Sequence, residues 1–192
     1  MNTILFILGL ASFFLYFPME ARKTKGHFLE TRLDKRIPML SGFVVPYILF
    51  FPYVFGVYIW AYAIKSPDFP QLAISVMAVS IITTIIYIGF PTRMVRPFME
   101  KVHVDRGWAG EIVENIEKFD KPNNLFPSNH VAYSLVITLF LVVTYPTLAW
   151  VFWTIFALIA SSTVLIKQHY LVDVPAGAAL ALLIWALAGH FL

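Results

Sequence analysis

Residues 130–166 read HVAYSLVITLFLVVTYPTLAWVFWTIFALIASSTVLI, with no Asp, Glu, Lys or Arg among them. A hydrocarbon core is crossed by roughly 20 apolar residues, so this stretch suits two crossings divided near Tyr145–Pro146. Outward from it, the same lack of charge recurs over 38–64, 70–92 and 174–192. The pattern predicts six spans, at about 2–18, 39–64, 70–90, 130–145, 148–166 and 173–192. Pro46 and Pro52 fall inside the second, where neighbours or local adjustments can satisfy the freed carbonyls. The first segment lacks the basic n-region and small-residue cleavage site of a signal peptide, and it reads as a helix. The expected fold is an all-α integral membrane protein, a six-transmembrane-helix bundle forming a single membrane domain over 1–192. A multi-pass protein of the cell membrane is the expected location.

Composition points the same way. Of 192 residues, 59% are hydrophobic and 13% charged, against roughly 45–50% and about 25% in soluble domains. The absence of cysteine excludes disulfides and thiolate metal sites. A formal charge of +3 gives no reason to invoke nucleic acid.

The charges cluster. Met19–Arg36 holds Arg22, Lys23, Lys25, Arg32, Lys35 and Arg36, and Pro91–Pro127 holds Arg93, Arg96, Lys101, Arg106, Lys118 and Lys121. Lys167 lies in the turn 167–173, and of the 14 Lys and Arg only Lys65 belongs to the opposite side. Counting spans brings the polar ends of the third to sixth helices together on one face. In the long loop, WAGEIVENIEKF places Trp108, Ile112, Ile116 and Phe119 at helical spacing. The spacing predicts a short amphipathic helix at the interface, covering the bundle, between the third and fourth spans.

Chemistry gathers at that face. Ser128 precedes an apolar helix as an N-cap would, and a helix N-terminus also favours an anion. Arg96 would add a fork suited to phosphate. His169 and Asp173 are four apart; if the stretch between them is helical they lie on one face, where the carboxylate would orient the imidazole and leave its other nitrogen free. His130 supplies a second imidazole. Two histidines beside an anion cradle suit phosphoryl transfer, with one attacking phosphorus and the other protonating the leaving oxygen. Rival readings are a metal site on His130, His169 and Asp173, and a lipid-phosphate-binding membrane protein without turnover.

The ordered segments TRMVRP, PSNH and STVLIKQHYLVD resemble the three motifs of the type 2 phosphatidic acid phosphatase superfamily, approximately K-x6-R-P, P-S-G-H and S-R-x5-H-x3-D. The resemblance covers about 91–178. It implies a membrane lipid phosphatase acting on a lipid phosphate or pyrophosphate, with no metal or other cofactor. His169 would be the nucleophile, Asp173 its orienting partner and His130 the acid for the leaving alcohol. Arg96, Ser128 and Asn129 would hold the phosphate. Two motif basics are missing: Gly89 stands at the lysine position and Thr163 at the arginine position. Arg93 and Lys167 are the candidate replacements, each equally readable as an interfacial snorkelling side chain. STVLIKQHYLVD, with DKPNNLFPSNH and LDKRIP, looks more like the inositol phosphorylceramide synthase branch, which transfers a phosphoryl-headgroup to another alcohol. The positive-inside rule places the polar face in the cytoplasm, whereas relatives of this family often face the periplasm or lumen.

Overall fold

The structure, a computed structural model, describes residues 1–16, 18, 26–96 and 107–191. Phe17 in the first expected span, the basic residues Arg22, Lys23, Lys25, Lys101 and Arg106, the motif proline Pro97 and the terminal Leu192 lie outside the described residues.

Four described helices are long and apolar enough to cross a membrane: α2 (Ser41–Ala63), α3 (Phe69–Gly89), α6 (Pro146–Leu165) and α7 (Asp173–Phe191). The remaining two expected spans are shorter apolar helices, α1 (Asn2–Phe13) and α5 (Asn129–Thr144). α4 is the helix Trp108–Phe119. The expectation of a purely helical chain needs one correction. His27–Phe28 (β1) and Thr92–Arg93 (β2) pair as a parallel two-stranded ribbon.

α2 carries the prolines and shows how they are accommodated. Pro46 sits in its opening turns, where a missing N–H costs little. Pro52 begins a π-helical turn over Pro52–Gly56, because a proline cannot donate to the preceding turn and the helix widens to accept it.

α5 is the hub. It packs against α3, α6 and α7, and α3 in turn contacts α1 and α7. Val131, Ala132, Leu135, Val136, Ile137 and Phe140 are all buried. The interior is also hydrogen-bonded. Ser80 Oγ lies 2.9 Å from Ser12 Oγ and 2.7 Å from the Tyr133 hydroxyl, and the Tyr53 hydroxyl meets Thr138 Oγ1 at 2.8 Å. Large apolar side chains such as Ile7, Ile85, Trp150 and Leu183 face outward. An apolar exterior around an interior that carries polar hydrogen bonds is the distribution expected where the surroundings are lipid.

α4 is amphipathic as predicted. Ala109, Gly110, Val113 and Glu117 are inward, while Trp108 is 64% and Phe119 85% exposed. Small residues let the helix approach Val44, Tyr47 and Ile166 closely, which a packed Trp108 would prevent. Ile112 and Ile116 are only partly buried, and they open onto the cavity described next.

Candidate active site

α5 begins where Ser128 Oγ accepts the Val131 N–H at 3.4 Å. The N-cap reading of Ser128 is therefore met, and its side chain is fully buried. Its own N–H donates to the Asp173 carbonyl at 3.1 Å, tying the mouth of α5 to the start of α7. Gly177 makes the approach achievable: a Cβ there would lie 2.5 Å from the Ser128 carbonyl oxygen. The N–H groups of Asn129 and His130 have no acceptor within α5, by helix geometry.

Two further contacts set this mouth in place. Thr92 Oγ1, on β2, accepts from the N–H groups of Leu125 and Phe126 at 2.8 and 3.1 Å. The Tyr87 hydroxyl, from α3, donates to the Pro127 carbonyl at 2.9 Å. The polar ends of α3, α5, α6 and α7 meet as the span count predicts.

His169 sits on the loop between α6 and α7. The C-terminus of α6 is a Schellman motif: the Gln168 N–H donates to the Thr163 carbonyl and the Lys167 N–H to the Val164 carbonyl. Lys167 occupies the left-handed position with φ 57°, where glycine is usual. The stretch between His169 and Asp173 is thus a loop and not a helix. The pair forms nonetheless. His169 Nδ1 lies 3.1 Å from Asp173 Oδ2, which also accepts the Tyr170 N–H at 2.9 Å. With Nδ1–H facing the carboxylate, the lone pair is left on Nε2.

His130 faces it. The two ring centroids are 5.9 Å apart with planes at 68°. Tyr47 stacks on His130 at 4.5 Å and Phe50 lies at 4.3 Å. His130 Nε2 and Asn129 Oδ1 are buried with no hydrogen-bond partner. Both residues, with His169, line a cavity of about 650 Å³ whose other walls are mainly apolar side chains of α1, α2 and α4, among them Phe13, Phe51, Phe55, Ile112 and Ile116.

The basic residues are placed differently. Arg96 is fully buried; Nη1 donates to the Asp120 backbone carbonyl and Nη2 lies 2.8 Å from Asp120 Oδ2. Arg93 is exposed on β2, its Cγ set against Gly26. Lys167 Nζ donates to the carbonyls of Asp34 and Ile37 at 3.0 and 2.6 Å, so its ammonium fastens the segment 34–37 onto the loop carrying His169. Thr163, at the missing arginine position, is buried and bonded to the Ala160 carbonyl. His130, His169 and Asp173 do not form a three-residue group able to hold a metal ion, nor does any such group occur among the described residues.

Sequence reasoning did not find Asp34 and Asp120. Asp34 is buried, accepting from the Thr31 N–H and hydroxyl at 2.7 and 2.6 Å and from the Leu171 N–H at 2.7 Å. Burial alone would raise its carboxyl. The Thr31 hydroxyl, the two backbone N–H groups and the Lys167 ammonium prevail and hold it below the ordinary carboxylate value. Both acids lie in charged loops that read as solvated, and only T-R-L-D spacing hinted at the local Thr31–Asp34 turn.

No curated protein and no solved structure matches the chain. A family model described as PAP2 superfamily matches residues 26–187, a range that contains Arg93, Arg96, Ser128, Asn129, His130, Lys167, His169 and Asp173. The match spans most of the chain, and the chain belongs to the PAP2 superfamily.

Proposed function

We propose that this chain is a multi-pass membrane lipid phosphatase that hydrolyses a lipid phosphate or pyrophosphate through a phosphohistidine on His169, without a metal. The carrying observation is the Asp173–His169 pair opposed to His130 across an apolar-walled cavity. His169 Nε2 attacks phosphorus, the phosphorus–oxygen bond to the leaving group breaks, and protonated His130 gives its proton to the departing oxygen. Water, deprotonated by His130, then attacks the phosphohistidine; free phosphate leaves and His169 is restored. Asp173 holds the ring and balances its charge in the intermediate, as a carboxylate does for a catalytic imidazole. The N–H groups at Asn129 and His130, with Ser128 and Asn129, cradle the phosphoryl oxygens. Arg96 is the cation nearest to this cradle in role, while Lys167 and Arg93 serve the scaffold.

The six apolar helices support six crossings, with α4 at the interface. One observation favours transfer to a lipid alcohol as the alternative. His169 is 6% exposed and Asp173 fully buried, beneath walls through which an alcohol from the bilayer could reach the phosphohistidine in place of water.

The test gives detergent-purified wild type and His169→Ala a panel of lipid phosphates and pyrophosphates, with chelator present, and follows released phosphate. Release by the wild type alone is expected, and equal release by the variant would sink the mechanism. Release that appears only as a transferred headgroup when phosphatidylinositol and ceramide are added would favour the transferase.

A further inference from the structure

Asp120 stands between Arg96 and the cavity. It follows the last residue of α4 and forms part of the cavity wall, whereas the Arg96 side chain is 0% exposed. The guanidinium presents two edges. Nη1 is held by the Asp120 backbone carbonyl. On the other edge, Nη2 is held by the single oxygen Asp120 Oδ2 at 2.8 Å, and Nε is buried with no hydrogen-bond partner.

That Nε–Nη2 edge is the fork that matches two oxygens of a phosphate. Here one carboxylate oxygen uses half of it. The other oxygen, Oδ1, accepts the Tyr16 hydroxyl from the end of the first apolar segment at 2.9 Å. The Asp120 side chain is 29% exposed, so it has room to swing that the guanidinium lacks. Asp120 lines the same cavity as His130 and His169, so the fork it holds lies behind a wall that the imidazole pair shares. A buried guanidinium stripped of any anion would be strongly unfavourable, so an empty site needs something in that position.

We infer that Asp120 is a stand-in for the substrate's phosphoryl group, holding the Arg96 fork in the empty site and yielding the Nε–Nη2 edge when a lipid phosphate arrives. Nη1 stays on the Asp120 carbonyl throughout, so the backbone need not move. The exchange replaces one charge-assisted bond by two. Asp120 is then a specificity-determining residue, because an anion's apparent affinity is reduced by the fraction of sites that Asp120 keeps closed. The inference rests on the reading of Arg96 as the phosphate-holding cation in the proposed function.

Inorganic phosphate is the probe, read as the phosphate-dependent rise in melting temperature of the purified full chain, a signal that needs no turnover. Asp120→Asn is expected to bind phosphate about tenfold tighter than wild type, by removal of the competing charge. Tyr16→Phe, which removes the hydrogen bond to Oδ1 and leaves the Oδ2–Nη2 contact in place, is expected to tighten binding in the same direction by a smaller factor. Adding Arg96→Lys to Asp120→Asn is expected to abolish the gain. Phosphate bound no more tightly by a cooperatively melting Asp120→Asn protein would overturn the stand-in role, as would a gain that survives Arg96→Lys. Should Asp120→Asn fail to fold, Tyr16→Phe decides alone, and unchanged or weaker binding overturns it. Turnover by His169→Ala reports on the catalytic reading separately, so the two failures are distinguishable.

Discussion

The imidazole side of the site and its basic side were built in different ways. His130, His169 and Asp173 come together through contacts among α5, α7 and the loop before α7: the Ser128–Asp173 backbone bond, the Gly177 approach and the His169–Asp173 pair. The basic residues expected to join them are bonded elsewhere or turned outward. Arg96 is paired with Asp120, Lys167 is bound to the carbonyls of Asp34 and Ile37, and Arg93 lies on a short strand. The difference teaches that a motif's reactive groups can be positioned by nearby backbone, while its charges settle wherever burial gives them partners. A buried cation without an anion costs several kcal/mol, so it finds one even when the substrate is absent.

The sharpest break in this comparison would come at the imidazoles. His169→Ala should lower kcat at least about 10⁴-fold, since it removes the proposed nucleophile; phosphate release assays check this, and acid-labile labelling should vanish with it. Asp173→Asn should cost on the order of 10²–10⁴ in kcat, by analogy with loss of the orienting carboxylate in a triad. An effect confined to KM would deny its orienting role. Gly177→Ala should destabilise by about 1–3 kcal/mol through overpacking, because the added methyl meets a backbone oxygen. Thermal unfolding measures that loss, and kcat should fall with it as α7 is pushed off the mouth of α5.

Smaller effects belong to the basic side. Asp34→Asn should cost about 1–3 kcal/mol, since its carboxylate satisfies three donors. The folded value of Asp34 is lowered, so its contribution is present above the unfolded value of about 4 and is lost as pH falls through the lower, folded value. The stability of the wild type should fall most steeply between these two values, and Asp34→Asn should flatten that fall. Lys167→Ala should leave KM near that of the wild type and lower stability by about 1 kcal/mol as its hydrogen bonds disappear. A raised KM with unchanged melting would instead return Lys167 to the phosphate.

Much of the fold was legible because hydropathy is additive along the chain. Five expected spans match helices to within a few residues, and even the interruption at Pro52 follows from a missing N–H. Periodicity identified the apolar stripe of α4 but not which part of it meets a neighbour: Ala109 and Val113 pack inward while Trp108 and Phe119 stay exposed. The small ribbon of β1 and β2 left no sequence signal, each strand being two residues long.

By itself the sequence determined that the chain is built of apolar helices, that PSNH opens one of them and that His169 and Asp173 are four apart. These are local properties, decided within one or two turns of chain. Only the tertiary structure decided which cations remain for a phosphate. Arg96 and Asp120 are 24 residues apart, and Lys167 reaches Asp34 across 133. Such pairings depend on which groups are buried together, and burial is a property of the packed bundle.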